Sequence, residues 1–132
     1  RCGMVYMDPA AIGVRPLIAS WMQTMPTVLD QLKPAIVYLF DTLFEPAVSF
    51  LRRNLVEPVS TVDNNLLKAT TINIDWFFAP FRPGREGSAT VDEDVLADSL
   101  KRVEKQIGPM FLFSLIWSVG VTTNESGRQR FD

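Results

Sequence analysis

Histidine is missing from the 132 residues of this sequence, and cysteine occurs once. Without histidine there is no imidazole base near neutral pH and no histidine-dependent metal site. A single thiol, Cys2, cannot close an internal disulfide, which favours a reducing compartment. Charge of one sign is lacking too: 13 Lys and Arg against 15 Asp and Glu give −2, with no basic block. A protein that grips phosphates would be more basic, so no nucleic acid is expected as partner. The most apolar stretch, Met110 to Val121, has 12 residues. A spanning helix needs about 20, so no membrane segment is expected. A membrane-surface helix would need a Lys/Arg-rich polar face, and none is visible. There is no Gly-rich loop ending in Lys-Ser/Thr, no Gly-x-Ser-x-Gly and no Cys-x-x-Cys. The chain therefore cannot cradle a triphosphate through a P-loop of its own, and an autonomous enzyme is not expected.

What is present suits one globular domain: 47% apolar, 21% charged and 11% aromatic residues. The sequence starts Arg-Cys-Gly with no initiator methionine, so a piece of something larger is expected. Met4-Val-Tyr-Met7 reads as a short buried strand closed by Asp8-Pro9. A lone strand leaves its backbone groups unpaired, so its neighbours would lie outside this sequence.

From Val14 the apolar period becomes helical. Val14, Leu17, Ile18, Trp21, Met22 and Met25 fall on one continuous face. Pro16 is tolerated only in the first turn, and Pro26 marks the end. A second helix is predicted from about Pro34 to Asn54, burying Ile36, Leu39, Phe40, Leu43, Phe44, Ala47, Phe50 and Leu51. Pro46 should kink or restart it. A third helix follows a cap between Ser60 and Asp63 and carries Val62, Leu66 and Leu67. Residues 71–76 alternate like a strand yet continue a helical run, and helix is preferred. Pro80 to Ser88 is a loop. Thr90-Val-Asp-Glu93 reads as a capping box for a helix with Val91, Val95, Leu96, Leu100, Val103 and Ile107 inward. Gly108-Pro109 should end that helix, and a last apolar helix occupies about 110–120. The fold class is mainly α: a bundle of about five helices preceded by one orphan β-strand.

Candidate chemistry is sparse. Asp92-Glu93-Asp94 resembles a cation site only on paper, because consecutive helical residues point in different directions. Asn124-Glu125-Ser126 matches a glycosylation acceptor by chance. Trp21, Trp76 and Trp117 with Phe77, Phe78 and Phe81 have the residue types of a base-stacking platform, but only Arg82 and Arg85 lie near, and core packing is expected. Arg52-Arg53 reads as a solvated helix end favoured by the helix dipole. Arg1 precedes a buried strand, and a planar cation there suits a transferring phosphate, although a solvated terminus is the simpler reading.

Taken in order, these residues resemble the dynein heavy chain. Arg1-Cys-Gly-Met-Val-Tyr-Met-Asp-Pro9 is similar to the end of a Ser-Arg-Cys-Gly segment and the following strand of the second AAA+ module. Val14-Arg-Pro-Leu-Ile-Ala-Ser-Trp21 resembles the first helix of that module's lid. Leu39-Phe-Asp-Thr-Leu-Phe44 and Phe50-Leu-Arg-Arg53 resemble the next lid helix. Phe111-Leu-Phe-Ser-Leu-Ile-Trp-Ser-Val-Gly120 and Arg130-Phe-Asp132 resemble the exit toward the third module. The Met-Val-Tyr-Met-Asp-Pro wording is more like axonemal than cytoplasmic heavy chains.

The resemblance implies residues 1–13 as the end of a large subdomain, 14–121 as a helical lid and 122–132 as a connector. It implies Arg1 as an arginine finger acting in trans on the preceding module, and Val14 and Leu17 as adenine contacts. The usual lid arginine has no counterpart, since Ser60 to Leu67 holds no Arg or Lys. That implies a nucleotide held structurally. The cofactors implied are ATP or ADP with Mg in the parent motor, and none for the isolated piece. Implied partners are the neighbouring AAA+ modules and, through the parent, the microtubule and the light and intermediate chains. The implied location is the cytoplasm and cytoskeleton, in a ciliary or flagellar axoneme. The lid would couple ATP hydrolysis around the ring to minus-end-directed movement. The alternative is an independent helical adaptor that binds a partner helix.

Overall fold

A computed structural model describes residues 2–5, 12–82 and 93–131. Among them are five helical elements and no strand. Met4 and Val5 form no strand and are exposed, because no described segment offers them a pairing edge. The rest of the expected strand lies outside the described residues.

Helix α1 spans Arg15–Gln23 with Pro16 in its first turn, where a missing amide costs no helical bond. Thr24 closes it, its backbone amide and its hydroxyl both donating to the carbonyl of Trp21. Pro26 then turns extended. Ile18 and Met25 are buried, and Val14, Trp21 and Met22 are half-buried.

Helix α2 spans Thr27–Asn54 and starts earlier than Pro34, because residues 27–32 already wind as a 3-10 helix that buries Leu29 and Leu32. It continues as an α-helix over Lys33–Leu39, a π turn over Phe40–Phe44 and an α-helix over Glu45–Asn54. The irregularity expected at Pro46 takes the form of a π turn just ahead of it. Pro46 has no amide for the Thr42 carbonyl and its ring would strike it. The wider turn, closed by the Glu45 amide on the Phe40 carbonyl, gives the ring room. By length and composition α2 is apolar enough to cross a membrane, but Ile36, Phe40, Phe44 and Leu51 all sit in the core of the bundle.

Helix α3, Asp63–Phe78, settles residues 71–76 as helix. Thr70, Thr71, Ile74 and Phe78 are all buried, which fits one face of a helix, whereas in a strand the adjacent Thr70 and Thr71 would point to opposite faces. The expected cap is not made by a side chain: Val62 precedes the helix, and its carbonyl accepts the amides of Asn65 and Leu66. A 3-10 turn, Ala79–Phe81, tucks Phe81 into the core.

Helix α4, Glu93–Ser118, runs through Gly108-Pro109 rather than ending there. Pro109 and Lys105 are both exposed, so the helix loses its amide donor on the outer side, where water is at hand. Val103, Phe111 and Leu115 are buried, with Leu100 and Ile107 packed against them. The capping box at Thr90 and the burial of Val91, Val95 and Leu96 lie outside what is described. Helices α3 and α4 pack closely where small residues face each other. The hydroxyls of Thr70 and Ser118 are 2.6 Å apart, and each also bonds a carbonyl of its own helix.

Helix α5, Glu125–Phe131, forms within the stretch expected to be a connector. Asn124 caps it through its side-chain oxygen, which accepts the Gly127 amide at 2.8 Å. The apparent glycosylation triplet is therefore a helix start.

Phe40 stands at the centre of an aromatic cluster. Its ring meets Trp21 of α1 at 6.0 Å, Phe44 at 5.7 Å and Phe111 of α4 at 4.8 Å, all edge to face. Phe40→Ala should lower unfolding free energy by about 3–5 kcal/mol. Tyr38→Ala, on the exposed side of the same helix, should change it by less than about 0.5 kcal/mol. Urea unfolding of the two variants checks the contrast.

Candidate functional site

Two open grooves flank α1. One lies between α1 and α2, has a volume of about 430 Å³ and an apolar floor of Ile18, Met22, Val37 and Phe40. The other lies between α1 and α3, has a volume of about 470 Å³ and is lined by Leu17, Ser20, Trp21, Thr24, Leu67, Lys68 and Thr71, among others. Both exceed the roughly 300 Å³ at which small-molecule sites begin.

The backbone that leads into α1 is set by Gly13, which has φ +70°. This left-handed conformation costs a residue with a Cβ on the order of 1 kcal/mol, so glycine is used where the chain turns into the helix. Val14 follows it half-buried against the core, its carbonyl accepting the Ile18 amide at 3.0 Å. Leu17 is 36% exposed on the wall of the α1–α3 groove. The two adenine-contact candidates thus occupy one helical turn but face different surroundings. Arg1 lies outside the described residues.

Lys68 lines the same groove as Leu17. Counting basic residues only up to Leu67 stops one position short of it. No group of three His, Cys, Asp or Glu that could hold a metal exists among the described residues.

Polar pins fix the walls of these grooves. Arg15 of α1 bridges to Asp41 at 3.1 Å and Glu45 at 3.2 Å on α2. The hydrogen bond to Glu45, then the charges of Asp41 and Glu45, hold its pKa above the ordinary arginine value. Asp75 of α3 collects two donors on one oxygen, the Trp21 indole at 3.1 Å and Arg82 at 2.7 Å. The groove wall at Trp21 is thereby tied to α3 and to the segment that follows it.

Arg52 sits exposed in the last turn of α2 as expected, but it is also paired. Its guanidinium meets Glu57, Asp63 at 2.6 Å, and the Thr61 carbonyl at 2.9 Å. Burial alone would lower its pKa, but the hydrogen bond to Asp63 and the carboxylates of Glu57 and Asp63 outweigh it and raise it. Arg53 beside it is exposed. The hub fastens the connector 55–62 between α2 and α3. Neither Asp75 nor Arg52 was legible as a junction, because their partners are set by how the helices cross and not by spacing along one of them.

The aromatic expectation divides. Phe78 and Phe81 are buried, but Trp76 is 73% and Trp117 59% exposed. Trp117 belongs to the apolar second half of α4, whose outer side no described residue covers.

The family model described as the dynein heavy chain AAA lid domain matches residues 36–132. The chain is similar to dynein axonemal heavy chain 1 of Homo sapiens, with 37% identity over 99% of this chain, and of Rattus norvegicus, with 34% identity over 99%. It is also similar to dynein axonemal heavy chain 3 of Homo sapiens, with 30% identity over all of it. The chain spans about 3% of the length of each of these relatives. No solved structure matches it.

Arg52→Ala should destabilise the fold by about 1–2 kcal/mol, since it leaves the largely buried Glu57 carboxylate without its cation. Arg53→Ala should cost a few tenths of a kcal/mol at most. Arg52→Lys should recover only part of the loss, because an ammonium cannot fork between Asp63 and the Thr61 carbonyl. Denaturant unfolding of the three variants makes the comparison.

Proposed function

The chain belongs to the dynein heavy chain AAA lid domain family, and from that premise we propose that it acts as a coupling lid in the motor ring of an axonemal dynein. It would sit at the end of the second AAA+ module and pass closure around a nucleotide to the neighbouring modules as a rigid-body movement. The parent would hydrolyse ATP, with Mg, and move along microtubules toward their minus ends within a cilium or flagellum. Light and intermediate chains would be partners of that parent.

The observation that carries this reading is the pinning of α1 on both sides, by Arg15 onto α2 and by Trp21 onto Asp75 of α3. A helix so held transmits displacement without absorbing it. A lid that contacted nucleotide near Gly13 would therefore carry the contact into the whole bundle.

The groove beside α1 is compatible with one side of a nucleotide. Leu17, Trp21 and Leu67 offer an apolar wall to a base, and Lys68 offers a cation to an anionic group. Val14 would present only its half-exposed edge. Ligands for Mg would come from elsewhere in the parent, as would the loop that cradles the phosphates. Arg1 would reach the preceding module's site, where a guanidinium offsets charge on the transferring phosphate.

In the full-length heavy chain, Arg1→Ala should lower ATP turnover by about 10³-fold if the residue stabilises the transition state in trans. Unchanged turnover would make it structural. Leu17→Asp should weaken nucleotide binding at this module while leaving the fold intact, measured by equilibrium nucleotide titration. An unaltered affinity would remove Leu17 from the site.

A further inference from the structure

Trp21 is the one aromatic side chain among the residues that line the α1–α3 groove, and two contacts hold its ring. Phe40 meets it edge to face, with centroids 6.0 Å apart and planes at 77°. The indole nitrogen donates to Asp75 Oδ1 at 3.1 Å. That oxygen also accepts Arg82 Nη2 at 2.7 Å, so a cation on the segment after α3 holds the carboxylate against the indole. Arg82 Nε is buried and finds no acceptor among the described residues. Asp75 is the anion that compensates this guanidinium among them.

Other donors on the groove wall are engaged with backbone. The Thr24 hydroxyl donates to the Trp21 carbonyl at 2.7 Å, and the Thr71 hydroxyl to the Lys68 carbonyl at 2.9 Å. The indole N–H is the only polar group of its ring, and Asp75 occupies it. What Trp21 can offer a ligand is therefore an apolar ring whose orientation is already set. A ring left free would have to be immobilised on binding, which lowers affinity; one fixed beforehand avoids that loss.

We infer that Asp75 is a positioning residue of this groove: it holds the Trp21 ring as a stacking surface for the base of a nucleotide, and Arg82 in turn holds Asp75. The inference rests on the nucleotide reading of the groove given above and gives roles to two residues which that reading leaves out. Neither Asp75 nor Arg82 lines the groove, so their effect on a ligand passes through Trp21. An aromatic face stacks on a planar base and does nothing comparable for a phosphate chain. Loss of the Asp75 carboxylate also removes a negative charge from the vicinity, which by itself would favour an anionic ligand. A fall in nucleotide affinity thus has the sign of lost positioning and not of changed charge.

The test uses the full-length heavy chain and an ATP analogue carrying a photoreactive azide on its base. Labelled peptides are sequenced by mass spectrometry, so that labelling of α1 and α3 reads this module apart from any other. ATP and inorganic tripolyphosphate, which has no base, are titrated as protecting competitors. Asp75→Leu and Trp21→Phe should each raise the ATP concentration needed for half protection roughly tenfold. The double variant should be no weaker than the weaker single one, because both break the same contact. Asp75→Asn, which keeps an acceptor for the indole, should recover most of the loss. Protection by tripolyphosphate should not change in any of them. Trp21→Phe, which keeps a ring beside Phe40 but has no N–H, carries the test should Asp75→Leu fail to fold. Unchanged ATP protection, additive losses in the double variant, or equal weakening of ATP and tripolyphosphate would each overturn the positioning role, the last by making the contact merely structural. Failure of the nucleotide reading has a different signature: the label would be absent from both helices, and the positioning role would go with it.

Discussion

Pro46 cannot donate to the Thr42 carbonyl, and much of the architecture depends on how α2 answers that. An α-helix advances about 100° per residue, so a stripe at every fourth position drifts by roughly 40° per step. Ile36, Phe40, Phe44 and Val48 would wander off one face over that length. The π turn at Phe40–Phe44 holds more residues in its turn and opposes the drift. All four side chains consequently stay buried. The turn that makes room for a proline ring also aims Phe40 at Trp21 and Phe111, so α1 and α4 pack on a surface set by a backbone irregularity in α2.

Around that centre the helices are joined by side chains that cross between elements. Arg15 reaches the π turn and the residue after it, Asp75 reaches α1, and Arg52 reaches across the connector. At the far end, the Asn124 amide donates to the Val56 carbonyl and Arg130 to the Asn54 carbonyl, returning α5 to the end of α2. Exposed ion pairs such as those of Arg15 stabilise little individually. Their consequence is local, because each joins two helices whose crossing angle the apolar packing sets.

Much of the bundle was legible in the sequence for one reason: period. Ile36, Phe40, Phe44 and Leu51, or Leu66, Leu67 and Ile74, repeat at helical spacing, and that repeat depends on nothing outside the helix. Proline was read correctly at Pro16, where only local backbone geometry counts. At Pro109 the same local logic failed, since the amide donor is lost on the outer side of the helix, where water is at hand. The tryptophans misled for a related reason. Trp117 was assigned to the core from its apolar neighbours, yet a sequence cannot tell which of several covers a short piece of a larger chain contains. The candidate site fared in the same way. Leu17 could be placed on the helix from spacing, whereas Lys68 on the opposite groove wall becomes its neighbour only once α3 crosses α1.

The absences in composition and the kind of contact found converge. A pin made with histidine would loosen within the physiological pH range. Those made here with Arg15 and Arg52 do not, because a guanidinium keeps its proton throughout that range, and the facing carboxylates hold both above the ordinary value. A raised folded-state pKa means this stabilisation is present throughout the physiological range and lost only as pH rises, far into the alkaline, through the folded-state value. The cationic half of each pin is therefore constant across the physiological range, and acid can loosen a pin only through its carboxylate. Read as a lid that passes on a displacement, the bundle needs that constancy more than it needs reactive groups.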